Sequence, residues 1–107
     1  MIQVSVLYPN QPGARFDMEY YLRSHIPLCL ERLGRSRALR GVEVQRGLAG
    51  GAPGTAPAFI ALCHFRFESL ADFQDAFGAH AAELQADIPN YTDVVPLIQI
   101  SEVAIAR

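Results

Sequence analysis

Two histidines, each in a segment with helical spacing of apolar residues, are the side chains best suited to chemistry in this 107-residue chain. At about 100° of rotation per residue, His25 lies about 20° from Met18 and His80 lies about 20° from Phe73. Each imidazole is therefore expected on the apolar side of its helix. A neutral imidazole has one donor and one acceptor, and its reference pKa of about 6.5 lets it move a proton near neutral pH. His25 and His80 are thus candidate catalytic bases.

Aromatic and acidic side chains in the same segments are candidate ligand-binding groups. They are Tyr20, Tyr21, Phe77, Asp87 and Tyr91. Either of the two adjacent tyrosines could orient a substrate oxygen, whereas Tyr91 reads first as a core or turn anchor. Asp87 ends the second helical segment at its negative pole, and the expected reason is a cap or turn bond to the backbone that follows it.

The histidines also have a purely structural interpretation. A buried histidine is commonly a core residue whose ring is hydrogen-bonded to a backbone carbonyl or a tyrosine. Direct pairing of His80 with Asp87 is not expected, because seven residues of helix separate them by about 10 Å. His64 shares a strand face with Ile60 and Leu62 and is expected at a subunit contact.

The elements that must position these groups follow from periodicity and from turn residues. In chain order they are a strand from Ile2 to Tyr8, a helix from about Met18 to Leu33, strands from Leu39 to Leu48 and from Ala58 to Phe67, a helix from Ser69 to about Asp87, and a strand from Pro96 to Val103. The first helix has the stripe Met18, Leu22, Cys29 and Leu33, and Pro27 predicts a kink within it. Asp17 and Ser69 are the expected N-caps.

The order β-α-β-β-α-β predicts an α+β, ferredoxin-like fold, with an antiparallel sheet that carries both helices on one face. One domain spans residues 1–107. The other face of the sheet mixes polar and apolar side chains, and a homodimer would cover it. Its expected contact residues are Gln3, Ser5, Leu7, Ile60, Leu62 and His64.

The composition and the lack of certain motifs argue against several classes of partner and cofactor. The net charge is −2 and the nine basic residues, all Arg, are dispersed, so nucleic acid is not an expected partner. The longest apolar run, Ala58 to Cys63, is far below the roughly 18 residues of a membrane span. Met1 to Leu7 has no basic residue before its apolar segment, and we expect a cytoplasmic protein. Phosphate-binding glycine motifs and metal-ligand spacings are lacking, so neither cofactor nor metal is expected.

Four runs of residues resemble one known family. They are LYP (Leu7 to Pro9), FDMEYYLRSHIPL (Phe16 to Leu28), AFGAH (Ala76 to His80) and DIPNYTDVVPLIQISEV (Asp87 to Val103). Together they are similar to the EthD family, named for ethyl tert-butyl ether degradation, over nearly the whole chain. The resemblance implies a small, cofactor-free member of the dimeric α+β barrel superfamily. It also implies an association with a degradation pathway, but no particular reaction.

Two functional hypotheses follow. In the first, the chain is an enzyme that binds a small, mostly apolar organic molecule between sheet and helices and performs acid-base chemistry, such as isomerisation, dehydration or cyclisation. In the second, it is a non-catalytic accessory or sequestering protein in the degradation of ethers or aromatic compounds. A structural dimer with internally satisfied histidines is a third interpretation. In both functional hypotheses, Gly47 to Pro57 is a candidate lid over the site.

Overall fold

A computed structural model describes the whole chain, Met1–Arg107, and contains one four-stranded sheet. The strands are β1 (Ile2–Pro9), β2 (Leu39–Arg46), β3 (Phe59–Phe67) and β4 (Leu97–Glu102). Their spatial order is β2-β3-β1-β4, and every neighbouring pair is antiparallel. This order is that of the split βαβ arrangement, so the predicted α+β, ferredoxin-like fold is confirmed.

The first helical segment has three parts, α1 (Met18–Tyr20), a π turn (Tyr21–His25) and α2 (Ile26–Leu33). The Asp17 side chain accepts from the backbone N–H of Tyr20, as expected for the cap. The backbone N–H of Ile26 donates to the carbonyl of Tyr21, five residues earlier. The turn ends two residues before Pro27, which has no N–H to continue the α-helical ladder.

The π turn changes which residues face the sheet. Tyr21, His25, Cys29 and Leu33 are buried, whereas Leu22 is 39% exposed. The prediction that Leu22 belongs to the apolar stripe is therefore wrong, because uniform 100° steps do not hold across a π turn. The inward direction predicted for His25 is confirmed.

The second helical segment is broken. It consists of α3 (Leu70–Gly78), α4 (Ala81–Asp87) and a 3₁₀ turn (Ile88–Asn90). Ser69 caps α3 by accepting from the backbone N–H of Asp72, as predicted. His80 has φ −130° and ψ 4°, outside the helical region, and it comes two residues after Gly78, a weak helix former that ends α3. The single helix predicted as far as Asp87 is wrong at this point.

The core lies between the helices and one face of the sheet. Its buried members include Val4, Tyr8, Cys63, Phe65 and Phe67 from the strands. The opposite face carries polar side chains at its centre, where the Ser5 hydroxyl lies 2.8 Å from His64 Nδ1 and the Gln3 amide lies 3.2 Å from the same atom. None of the helices combines the length and the apolar character needed to cross a membrane.

Candidate functional site

A cavity of about 370 Å³ lies between the helices and the sheet. Fifteen of its eighteen lining residues are hydrophobic. They come from the strands (Val4, Val6, Tyr8, Cys63, Phe65, Ile98), the first helical segment (Tyr21, His25, Ile26, Cys29, Leu33), the second helical segment (Phe73, Phe77, Leu84, Gln85, Ile88) and the segment before β4 (Val95, Pro96). Its size and apolar lining are those of a site for a small organic molecule.

His25 places an imidazole in the wall of this cavity. The residue ends the π turn and is only 6% exposed. Its Nδ1 lies 2.8 Å from the Oδ2 atom of Asp87. The ring packs against Tyr91, with centroids 4.6 Å apart, and stacks on Tyr21 at 5.9 Å with planes 17° apart. These contacts fix the orientation of the imidazole.

Asp87 is the hub of the polar contacts behind the imidazole, at the C-terminal end of α4. Its Oδ1 atom accepts from the hydroxyl of Tyr20 at 2.7 Å and from the side-chain amide of Asn90 at 2.9 Å. The expected bond to the backbone of the following turn is therefore replaced by three side-chain contacts, one of them to His25. This network also accounts for an acidic residue at the unfavourable end of a helix dipole.

The ionisation of the pair follows from burial and hydrogen bonding. Burial alone would raise the pKa of Asp87, but hydrogen bonds from Tyr20, Asn90 and His25 outweigh it and hold this pKa below its usual value. Burial lowers the pKa of His25, and the neighbouring carboxylate only partly opposes this effect. At neutral pH the pair is thus an ionised Asp87 and a neutral His25.

The ionised carboxylate fixes the tautomer of the histidine. A carboxylate can only accept hydrogen bonds, so Nδ1 carries the imidazole proton and Nε2 carries the lone pair. The Cys29 thiol lies 3.5 Å from Nε2 and is a weak donor to it. Burial raises the pKa of Cys29 to about 12, so this thiol stays protonated and is not a nucleophile at neutral pH.

The buried tyrosines differ in how well their hydroxyls are satisfied. Tyr8 and Tyr91 share a hydrogen bond of 2.6 Å between their hydroxyl oxygens. The Tyr21 hydroxyl is buried without a hydrogen-bond partner, although it lies near the weakly polar thiol of Cys63. Burial raises the pKa of Tyr21, so this hydroxyl keeps its proton.

The structure brings together most of the predicted site residues. His25, Tyr21 and Phe77 line the cavity, whereas Tyr20, Asp87 and Tyr91 surround the imidazole from behind.

The prediction that His80 lies at the cavity is wrong. It does not line the cavity and is half-exposed, because the break between α3 and α4 rotates it away from the phase of Phe73. The loop from Gly47 to Pro57, considered as a lid, also contributes nothing to the cavity wall.

Three residues at the site were missed from the sequence. Cys29 was assigned only to the core, although its spacing of four from His25 places it on the same helical side. Asn90 follows the helix end and Gln85 is an exposed polar residue, so neither showed a functional pattern in the sequence. No three His, Cys, Asp or Glu side chains in the chain are grouped so as to hold a metal ion.

The fold is a ferredoxin-like α+β sandwich of sheet and helices with an apolar cavity, and the wall of this cavity includes the imidazole of a His-Asp pair. The EthD domain matches residues 14–94, and the chain belongs to the EthD family. The crystal structure of an EthD-like protein from Ralstonia eutropha JMP134 is similar, with 47% identity, a TM-score of 0.91, and coverage of 99% of this chain and 94% of that one.

More distant structures share the fold. An ethyl tert-butyl ether degradation (EthD) family protein from Bacillus halodurans C-125 is 20% identical, with a TM-score of 0.62 and coverage of 95% of this chain and 97% of that one. A candidate antibiotic biosynthesis monooxygenase from Bordetella bronchiseptica is 17% identical, with a TM-score of 0.64 and coverage of 97% of each chain. At these identities the likeness is one of fold alone. No curated protein matches the chain.

Proposed function

We propose that this EthD-family protein binds a small, mostly apolar organic molecule in the cavity and that His25, oriented by Asp87, acts on it as a general base. The observation that carries the proposal is the 2.8 Å contact of Asp87 with Nδ1, which leaves the Nε2 lone pair of a cavity-lining imidazole with only the weak Cys29 thiol as a donor. A base oriented by a carboxylate in this way is a recurrent catalytic arrangement.

The proton balance is simple. Nε2 takes a proton from an acidic O–H or C–H group of the ligand, and the resulting imidazolium is stabilised by the Asp87 carboxylate. The same proton returns to another atom of the ligand, or to a leaving hydroxyl, which gives isomerisation, cyclisation or dehydration. Each of these reactions balances without an added oxidant or reductant.

Burial of the pair supports this role. The apolar wall excludes water, so the attraction between an imidazolium and the carboxylate is stronger than it would be in solvent. The lowered pKa of His25 keeps the free base populated at neutral pH.

The proposal is tested by proton exchange. Wild-type protein is incubated in D₂O with a panel of small cyclic ketones, and deuterium incorporation next to the carbonyl is followed by NMR. We expect accelerated exchange with at least one member, and a decrease of about tenfold or more in His25→Asn. His64→Asn, which changes a histidine on the other face of the sheet, is the matched control and should exchange like the wild type.

Two outcomes oppose the proposal in different ways. Ligand binding without exchange anywhere in the panel would reject the base and favour the accessory, sequestering protein. Equal exchange rates in wild type and His25→Asn would place any base elsewhere.

We further propose that the chain forms a homodimer through the face of the sheet opposite the helices. Leu7 and Leu62 are cross-strand neighbours on this face, and polar Ser5 and His64 pair beside them. A self-complementary contact of two such faces would remove the apolar side chains from water while the polar pairs stay satisfied.

A further inference from the structure

The polar groups on the cavity wall are few and uncharged at neutral pH. No Arg, Asp or Glu is among the lining residues, and His25 is neutral. A negative charge, the Asp87 carboxylate, lies directly behind the imidazole. An anionic ligand would lose its hydration without meeting a cation, and it would be repelled by this carboxylate.

The cavity volume limits the size of the ligand. An apolar protein cavity of roughly 150 Å³ accommodates one benzene molecule. The present cavity, at about 370 Å³, is more than twice as large. It therefore has room for about two fused rings with a small substituent.

Two lining residues, His25 and Tyr21, each have a hydrogen-bonding group that is not fully satisfied. The Nε2 atom of His25 is an acceptor with only a weak thiol donor, and the Tyr21 hydroxyl is a donor without a partner. Tyr21 is 1% exposed, and its ring is stacked 5.9 Å from that of His25. A single hydroxyl group can donate to the acceptor and accept from the donor at the same time.

Exposed apolar residues mark where the cavity opens to solvent. Val95 is 80% exposed and Ile98 is 57% exposed, and both residues line the cavity. Ile98 pairs in register with Val6, which places it on the helix-covered face of edge strand β4. A ligand that enters here would carry its polar group inwards and leave its apolar rings near the mouth.

We infer that the cavity takes an uncharged ring compound of about two fused rings, whose hydroxyl group lies between His25 Nε2 and Tyr21 Oη. This inference rests on the proposed function and specifies its ligand. It makes Tyr21 a ligand-binding residue and identifies the ligand hydroxyl as the group that faces the base.

The test uses three probes of similar shape, namely 2-naphthol, naphthalene and 2-naphthoate, titrated at pH 7. The chain has no Trp, so naphthyl fluorescence is measured against little protein emission. We expect 2-naphthol to bind about tenfold more tightly than naphthalene, since the hydroxyl makes two hydrogen bonds to buried groups. 2-Naphthoate should bind at least tenfold more weakly than 2-naphthol.

Two matched Tyr→Phe variants separate ligand recognition from folding. In Tyr21→Phe, the preference for 2-naphthol over naphthalene should fall about fivefold, and Tm without ligand should not decrease because no intramolecular hydrogen bond is lost. Tyr8→Phe is the control, because Tyr8 also lines the cavity but its hydroxyl is bonded to Tyr91. This variant should lose stability, because the hydrogen bond to Tyr91 is lost. His64→Asn, on the other face of the sheet, should keep the probe preference of the wild type.

The outcomes distinguish the inference from the proposed function. If wild-type protein binds 2-naphthol and naphthalene equally, or binds 2-naphthoate as tightly as 2-naphthol, the hydroxylated, uncharged ligand is rejected and cavity binding stands. If Tyr21→Phe keeps the full preference, Tyr21 does not contact the hydroxyl. If none of the three probes binds, both the inference and the proposed function are overturned.

Discussion

Replacing Asp87 with Asn tests whether this carboxylate sets the tautomer of the buried His25 imidazole. The amide keeps one oxygen, which can still accept from Tyr20 and Asn90, but it presents an NH₂ group in place of Oδ2. Two N–H groups would then face each other across the 2.8 Å contact with His25 Nδ1. The imidazole is expected to move its proton to Nε2, which removes the lone pair from the cavity.

The expected stability loss for Asp87→Asn follows from the same contacts. Hydrogen bonds to a charged group contribute roughly 1.5–3 kcal/mol and neutral ones roughly 0.5–1.5 kcal/mol. Tyr20 and Asn90 are partly open to solvent, so the buried His25 contact dominates the difference. A loss of about 2 kcal/mol at pH 7 is expected, or roughly 10 °C in Tm for a domain of this size.

Two measurements check these expectations. Two-bond ¹⁵N–¹H NMR correlations of the imidazole should report Nδ1–H in the wild type and Nε2–H in Asp87→Asn. Because the folded pKa of Asp87 lies below its unfolded value, its contribution is present above roughly pH 4 and is lost as pH falls through the folded pKa. The two proteins should therefore converge in stability in strong acid. An unchanged tautomer, or a Tm difference that does not shrink as the pH falls below about 4, would refute the reasoning.

Four other predictions use different parts of the molecule. Burial lowers the pKa of His25 below its unfolded value of about 6.5, so the wild-type Tm should decrease from pH 7 to pH 5. The Tm of His25→Gln should decrease less over the same range, and equal decreases would contradict this prediction. Leu62→Asp should shift the light-scattering mass towards the monomer, and a fully dimeric variant would place the contact elsewhere. Phe73→Ala should lower the free energy of unfolding in urea by about 3–5 kcal/mol, because Phe73 is buried against two other phenylalanines. A loss below about 1 kcal/mol would show that Phe73 does not belong to the core. Burial raises the pKa values of Cys29 and Cys63 to about 12, so a thiol reagent at pH 8 should modify both cysteines only after unfolding. Rapid reaction of the native protein would show that the thiols are accessible.

The order of strands and helices was predictable because each element is specified by a local pattern. Alternation in β1 and β3, the caps at Asp17 and Ser69, and the helical spacing around His25 all act over a few residues. Predictions of which helix residues face the core failed where the backbone departed from 3.6 residues per turn. The π turn exposed Leu22, and the break before α4 removed His80 from the cavity.

The sequence by itself determined the fold, the inward position of His25 and the mostly apolar character of its surroundings. Only the tertiary structure decided the partner of that imidazole, because His25 and Asp87 are 62 positions apart and no local pattern relates them. Their contact depends on how the end of α4 packs beside the π turn, which also brings the Tyr20 hydroxyl to the same carboxylate. Long-range packing therefore pairs Asp87, an acidic residue at the unfavourable end of a helix, with His25, which the sequence alone also allows as an ordinary core residue.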